Sequence, residues 1–513
     1  YKTPTGYVLD KLQKKVLENF ESHNQRLFLS APTSFGKTFL LKEIIYSHYE
    51  EYNNIVVVLP TVALLMEVTE DLEFFFKERT LNYQIYNSIY RDLSISNKNV
   101  FILTPERVLR LLALFPDINI DFFFFDEIYK IDEDITIEGD DDSPADITMG
   151  VDWSDKDGKS NHRACAFRLA LYYLLEKSKS CYISGPFIKI DKLKSGFKNM
   201  LSMYDIGTME AHFEPTLKNK IDFHGKTMRI TSPIETITKK TDDKDKFDKI
   251  HTIVRELKIS KANSAIVYCL YPSHTEKLAR KYCESIPEDK NRMIELFVDH
   301  VSKNFNCRYG HGKNSIEEWD FIYAIQRGVG VHNGKFPKYF QREIMSLFNQ
   351  KQMSLLFCTS TIVEGVNTDA KTVIVYHNPS GENNAGKRFL LLNINGRAGR
   401  YLRHFVGNIV YLNIECLKIE ESEHISLDFK LFSDNAILSD LDLENVDSRH
   451  LSLRNKERQR QIQLDRALLP DNVFSQNRLI ERKKQEQILK LICKRINRFR
   501  GIGDASINQF IDD

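Results

Sequence analysis

A chain of 513 residues is too long for one hydrophobic core, so about three domains are expected. With 42% hydrophobic and 28% charged residues it is built like an ordinary globular protein, which excludes a disordered chain, and no apolar run approaches the ~18 residues of a membrane span. The formal charge of +1 excludes a uniformly basic polyanion binder, yet residues 451–500 hold fourteen Lys and Arg against five Asp and Glu, an excess of nine that leaves the remainder net negative by eight.

The eight cysteines include no Cys-x-x-Cys pair, and Cys181, Cys269 and Cys358 sit in apolar runs, so reduced, buried thiols are expected. Cys307 with His311 is a poor zinc half-site without a second half. No signal-peptide pattern heads the sequence, and a cytoplasmic location is expected. The first residue is Tyr, not Met, as in a chain whose start has been trimmed.

In chain order, residues 8–20 read as an amphipathic helix carrying Gln13, and residues 27–29 as a short strand. Residues 31–38 read APTSFGKT and pass directly into a helical pattern with Phe39, Leu40, Ile44 and Ile45. Strand, small-residue loop and helix in this order make a phosphate-binding loop. Backbone N–H groups of Thr33, Ser34, Phe35 and Gly36 and the positive end of the helix dipole converge on phosphate oxygens. Lys37 adds a mobile cation, and the Thr38 hydroxyl is placed to hold Mg²⁺. Ala31 stands where the general signature has its first Gly, and a chance Gly-Lys-Thr turn is the competing reading.

Buried strands are expected at 55–59, 100–103, 122–125 and 181–183, separated by helical patterns such as 64–77 and 106–114. Such alternation calls for a parallel sheet with helices on both faces and a nucleotide at the carboxyl ends of the strands. Residues 122–127 read FFFFDE, a buried aromatic strand ending in adjacent carboxylates. Asp126 suits a metal shell, and Glu127 suits the orientation or deprotonation of an attacking water; capping of the next element is the alternative. The run 132–146 holds eight acids and no base, and reads as a solvated insertion or as a functional acidic arm.

Residues 212–245, polar with Lys239, Lys240, Asp242 and Asp243, read as a linker to a second α/β series over 246–415. That series has strands at 264–270, 353–357 and 372–376, helices at 273–285 and 337–349, and a closing strand at 407–412. Residues 358–367 read CTSTIVEGVN, where Thr359 and Ser360 at a helix start suit phosphate of a nucleotide or of a nucleic-acid backbone. Residues 393–400 read NINGRAGR, and the forked cations of Arg397 and Arg400 suit charge developing on a transferred phosphoryl group; a basic surface turn is the alternative. Residues 416–513 turn helical and basic. The cationic face at 479–496 is either solvated or turned to nucleic acid, and RGIGDASINQFI at 500–511 is a weak helix-hairpin-helix signal.

In this order, APTSFGKT, LPTVAL, LTPER, DEIY, GVGVHNG, CTSTIVEGVN and NINGRAGR resemble the motifs of a superfamily 2 helicase. The likeness is to the DExH branch with archaeal repair helicases and exosome-associated RNA helicases, over roughly residues 8–412. It implies an α/β architecture of two tandem RecA-like domains, 1–211 and 246–415, with ATP and Mg²⁺ between them, and a mainly helical C-terminal region. It further implies that Gln13 reads adenine, that Gly365 and Asn367 belong to the nucleotide site, and that Arg397 and Arg400 are arginine fingers. Pro60, Thr61, Thr104, Pro105, Glu106, Thr359 and Ser360 would grip the phosphates of one strand, which closure on ATP ratchets 3′ to 5′.

Three positions depart from the pattern. Tyr129 stands where relatives have His, Ser184-Gly185-Pro186 where they have Ser-Ala-Thr, and Asn393 where they have Gln. The first two lie where hydrolysis is linked to strand contacts, so ATP binding is implied more firmly than coupled unwinding. The wording LFLSAPTSFGKTF, with the divergent DEIY and SGP, is similar to bacterial defence helicases, in particular the helicase subunit of the Hachiman antiphage system. That likeness implies a separate nuclease subunit and favours DNA as partner; no nuclease constellation is found within the 513 residues. A stand-alone DNA-repair or RNA-processing helicase, and a nucleotide-gated DNA-sensing clamp without processive unwinding, stay open as alternatives.

Overall fold

Strand and helix alternate through the first lobe as its hydrophobic pattern requires. The computed structural model describes residues 2–32, 35–132, 162–211, 216–232, 235–243, 245–305, 308–310, 316–362, 368, 370–380, 383–399, 404–464, 474 and 477–495. The first lobe runs α1 (Lys11–Ser22), β1 (Arg26–Ser30), α2 (Lys37–Ser47), β2 (Asn54–Val58), α3 (Val62–Arg79), β3 (Gln84–Tyr86), β4 (Asn99–Leu103), α4 (Pro105–Leu114) and β5 (Ile120–Phe125). It continues with α5 (His162–Lys177), β6 (Ser178–Gly185), α6 (Ser195–Met203) and β7 (Gly207–Glu210).

These seven strands form one parallel sheet in the order β3-β4-β2-β5-β6-β1-β7. The four phenylalanines of β5 show why both faces must be covered. Phe123 and Phe125 point into the core beneath α4, α5 and α6, whereas Phe122 and Phe124 point into the core beneath α1, α2 and α3. None of the four is more than 1% exposed. A strand buried on both faces needs no polar alternation, so a continuous apolar run is its signature.

The second lobe begins earlier than the sequence pattern indicates. Residues 217–240, read above as part of a linker, form β8 (Leu217–Asp222), β9 (Thr227–Thr231) and β10 (Thr236–Lys240). They join a sheet ordered β10-β9-β8-β17-β16-β11-β15-β14, with antiparallel pairing only at β8-β9 and β9-β10. The linker reading fails because β10 is exposed along its length and β9 is buried at one position alone, Met228, so the pair carries a linker's polarity.

The rest of the lobe comprises α7 (Asp248–Glu256), β11 (Ala265–Tyr268), α8 (Pro272–Cys283), α9 (Arg292–Asn304), a small hairpin of β12 (Arg308–Gly310) and β13 (Ile316–Glu318), and α10 (Asp320–Ile325). Then come β14 (Val329–His332), α11 (Lys338–Asn349), β15 (Leu355–Cys358), β16 (Thr372–Val375), α12 (Asn384–Asn395), β17 (Val406–Tyr411) and α13 (Ile414–Glu420). The strand expected to close the sheet, β17, instead lies inside it between β16 and β8. The six described cysteines that are free are all buried, while Cys307 and His311 lie outside the described residues. No described helix is long and apolar enough to cross a membrane.

After α13 the chain returns to the first lobe. Ile425, Leu427, Phe429, Leu431, Leu438, Leu441 and Leu443 enter the same core as α5 and α6. Among the described residues three helices lie in this region, α14 (Asp440–Asn445), α15 (Leu453–Leu464) and α16 (Arg482–Arg495). This packing is sealed by a buried ion pair: Arg168 Nη2 of α5 lies 2.8 Å from Asp442 Oδ2 of α14, and both side chains are 1% exposed. Arg168 also donates to the Ile131 carbonyl at 3.2 Å. Asp132, counted above in a solvated acidic run, is fully buried, while residues 133–146 lie outside the described residues. A buried pair gains little over an apolar substitute, but removing one partner strands the other charge without water. Arg168→Ala or Asp442→Ala is therefore expected to lower unfolding stability by about 3 kcal/mol, checked by a denaturant melt, with the double variant less damaged than the sum of the two.

Candidate nucleotide site and nucleic-acid interface

Three neighbouring strands deliver three side chains to one end of the first sheet. β5, β6 and β1 lie side by side and parallel, so Asp126 after β5, Ser184 at the end of β6 and Lys37 after β1 converge. Lys37 Nζ is 3.0 Å from Asp126 Oδ1, and the Ser184 hydroxyl donates to the same oxygen at 2.6 Å. The Asp126 N–H donates to the Val58 carbonyl at 3.1 Å, which ties the carboxylate to β2.

The loop that positions Lys37 is braced from α1. Gly36, the N-cap of α2, has φ +91°, a left-handed conformation open to glycine, and a Cβ there would lie 3.0 Å from Gln13 Nε2. Gln13 Nε2 donates to the Phe35 carbonyl at 3.0 Å, while its Oε1 accepts from the Asp10 N–H at 3.3 Å. The amide expected to read adenine is thus also engaged in holding the loop. Thr38 follows in the first turn of α2; Thr33 and Ser34 lie outside the described residues.

Glu127 has φ +53° and caps the 3-10 turn Ile128–Ile131. A non-glycine residue held there is strained, as residues at functional sites often are. Burial, joined by the Asp126 charge, pushes the Glu127 carboxyl above the usual range against the pull of Lys37, Lys130 and Arg397, and its Oε2 is buried without a hydrogen-bond partner. Burial alone would depress Lys37, but the Asp126 and Glu127 carboxylates outweigh it and hold its ammonium above the ordinary range. Arg397 acts on both groups from the second lobe. A cationic loop at a helix N-terminus, adjacent carboxylates and an unmatched buried oxygen suit a triphosphate with a divalent cation held by Thr38 and Asp126. Among the described residues there is no cluster of three or more His, Cys, Asp or Glu to hold any other metal.

Arg397 follows α12, and its N–H donates to the Ile394 carbonyl at 3.0 Å. α12 divides its side chains between lobes: Leu390, Leu391 and Ile394 enter the second core, and Phe389 enters the first. There Phe389 meets the divergent Tyr129 edge-on, with ring centroids 4.5 Å apart. Asn393 spends its amide on the Phe389 carbonyl at 3.0 Å. Gly365, Asn367 and Arg400 lie outside the described residues.

The residues expected to hold a strand fall at strand ends in both lobes. Val58 and Leu103 are register partners, so Thr61, the N-cap of α3, and Thr104, the N-cap of α4, stand at one edge with Pro60, Pro105 and Glu106. The Arg163 guanidinium donates to the Pro60 carbonyl. In the second lobe, Thr359 follows β15 and Ser360 opens a 3-10 turn. Thr361 Oγ1 is 3.1 Å from Thr359 Oγ1 and 3.3 Å from Nδ1 of the buried His332. Sequence reasoning missed His332 as a support and Phe389 as a contact. GVGVHNG was visible as a motif, but nothing in the spacing of 389 from 129 signals their meeting.

Both lobes match known helicase families. Residues 10–139 match the model of the DEAD/DEAH box helicases, and residues 246–402 match the helicase conserved C-terminal domain. Anti-bacteriophage protein B of Escherichia coli is 30% identical over 417 residues, covering 80% of this chain and 48% of that protein. Hachiman protein HamB of Bacillus cereus is 32% identical over 124 residues, covering 24% of this chain and 10% of that protein. The chain thus spans about half the length, or less, of these curated relatives. Among solved structures, a single-substitution form of S. cerevisiae Dbp5 bound to RNA and ADP BeF3 superposes with a TM-score of 0.51 at 14% identity, covering 80% of this chain and 85% of that one.

The buried His332 ring gives this region a pH signature. Burial, aided by Lys338, pushes it down to about 4 from an ordinary 6.5. Between those values the unfolded chain binds the extra proton, so stability present at neutral pH is lost as pH falls. Thermal unfolding followed from about pH 7 to about pH 5 should show a falling midpoint, and His332→Asn should show a smaller fall.

Proposed function

We infer, because the chain belongs to the DEAD/DEAH box helicases, that it hydrolyses ATP in the cleft between its two lobes and uses the cycle to move along single-stranded or tailed nucleic acid. The observation that carries this reading is the buried Lys37–Asp126 pair beside Glu127, with Arg397 of the opposite lobe close enough for its charge to act on Lys37 and Glu127. On binding a triphosphate, Lys37 would exchange its carboxylate for phosphate oxygens, and Thr38 and Asp126 are the residues that would hold Mg²⁺. Mg²⁺ there supplies neutralisation of charge on the phosphates. Glu127, whose carboxyl is raised by burial, is a stronger base than a solvated glutamate and takes the proton of the attacking water. Arg397, with Arg400 three residues on, steadies the transferred phosphoryl group from the second lobe. Thr33 and Ser34 add loop amides, Gln13 offers adenine its remaining N–H, and Gly365 and Asn367 complete the site.

The strand lies across the N-termini of α3 and α4, held by Pro60, Thr61, Thr104, Pro105 and Glu106, and reaches Thr359 and Ser360. Movement is 3′ to 5′, by the resemblance to the DExH branch. DNA is the favoured strand, and the setting is bacterial antiphage defence in the cytoplasm beside a nuclease subunit. The names of the anti-bacteriophage and Hachiman relatives support that setting, while the solved neighbour bound to RNA keeps RNA as the comparison. A second reading, a nucleotide-gated clamp that senses DNA without processive unwinding, is favoured by the Tyr129–Phe389 contact where relatives carry His.

Lys37→Ala should abolish ATP turnover, whereas Glu127→Gln should retain bound ATP and lower turnover at least about a hundredfold. Retained turnover in both variants would remove the assigned site. ATPase stimulation by matched DNA and RNA single strands at one salt concentration decides the strand. A strand-displacement assay beside it separates motor from clamp, since stimulation without displacement selects the clamp.

A further inference from the structure

Between residues 422 and 428 the chain crosses from the second lobe to the first, and its contacts fall on both halves of the nucleotide site. At the start, Ser422 Oγ donates to the Asn384 carbonyl at 3.1 Å, and the Ser422 carbonyl accepts from the Arg388 guanidinium. Both partners belong to α12, the helix that delivers Arg397. Four residues on, Ser426 Oγ donates to the Lys192 carbonyl at 2.7 Å, and the Leu427 carbonyl accepts from the Lys194 N–H at 3.0 Å. Next, the Asp428 N–H donates to the Asp132 carboxylate at 2.9 Å.

The crossing is built to lie down on the first lobe. Ile425, Leu427 and Phe429 alternate inward and are at most 3% exposed, the period of an extended segment with one buried face. Beneath it, a Cβ on Gly196 would collide with the Phe429 carbonyl, so the close approach requires glycine at that position of α6. His424 rests on the backbone of Phe187, the residue with φ +54° that follows Ser184-Gly185-Pro186. The segment therefore touches the arginine-finger helix, the turn after Glu127 and the loop after Ser184.

We propose that residues 422–428 are a strap that holds the Glu127 turn in register with the Arg397 helix, and that Asp132 is the positioning residue through which it acts. The proposal rests on the nucleotide site argued above. Asp132 closes the 3-10 turn that Glu127 opens, its N–H donating to the Tyr129 carbonyl at 3.1 Å. A carboxylate buried at that end of the turn needs its hydrogen bonds, one of which comes from the strap. The slack is small: the four peptide steps from Ser422 to Ser426 span at most about 14 Å. Any cleft opening that carries α12 beyond that reach peels the strap from the first lobe and releases Asp132. Glu127, in a strained conformation that its surroundings must hold, then loses its aim.

The test uses the full chain and whichever single strand, DNA or RNA, stimulates the wild type. Asp132→Ala and Arg388→Ala are expected to lower kcat for ATP about tenfold with KM unchanged, and Asp132→Asn, which keeps an oxygen acceptor for the Asp428 N–H, to recover to within about twofold of wild type. All three should bind a fluorescent ATP analogue as the wild type does, whereas Lys37→Ala should not. Wild-type kcat in Arg388→Ala and in folded Asp132→Ala, or a raised KM alone, would overturn the strap. Should Asp132→Ala fail to fold, Arg388→Ala decides by itself. Normal turnover in Lys37→Ala would instead overturn the nucleotide site, so the two failures are distinct.

Discussion

An ammonium and a carboxylate 3.0 Å apart, neither side chain more than 9% exposed, are expensive to keep inside a protein. Lys37 and Asp126 lose most of their hydration, and an apolar pair of similar volume would serve stability as well or better. Their retention ties the architecture to what they can bind. Lys37 must leave a loop that only Gly36 can turn, Asp126 must leave a strand buried on both faces, and Ser184 must stand between them. A parallel sheet meets all three demands, because adjacent parallel strands present their carboxyl ends on one edge.

The second lobe repeats the scheme with a different purpose. Its α12 belongs to two cores, anchoring by Leu390, Leu391 and Ile394 while Phe389 reaches across to Tyr129. The C-terminal region adds a second bridge, since its apolar residues complete the core on one face of the first sheet and the Arg168–Asp442 pair holds it there. Residues from Ile425 to Leu443 therefore pack with the first lobe, although the chain reaches them from the second.

Departures from the helicase pattern acquire a physical meaning here. Ser184 keeps its hydroxyl on Asp126 despite its altered neighbours, and Gly185 is required because a Cβ would lie 2.7 Å from Ile128 in the turn after Glu127. Tyr129 packs its ring edge-on against Phe389 of α12. The Tyr129–Phe389 contact and the crossing at 422–428 join the Glu127 turn to α12 in this chain.

What the residues could announce by themselves was local. The APTSFGKT loop, the FFFFDE strand and the NINGRAGR segment are each contiguous, and contiguous chemistry can be read as a string because neighbours in sequence stay neighbours in space. Period and composition likewise sufficed for two parallel-sheet lobes. The strands β8 to β10 escaped because edge strands carry a linker's polarity, and Asp132 escaped because seven of the eight acids in its run follow it and hide its burial. Tyr129 on Phe389, Arg168 on Asp442 and Asp428 on Asp132 lie hundreds of positions apart. Such contacts leave no periodic trace, since a buried charge or ring looks the same in a string as an exposed one, and only the packed chain reveals which partner removes it from water.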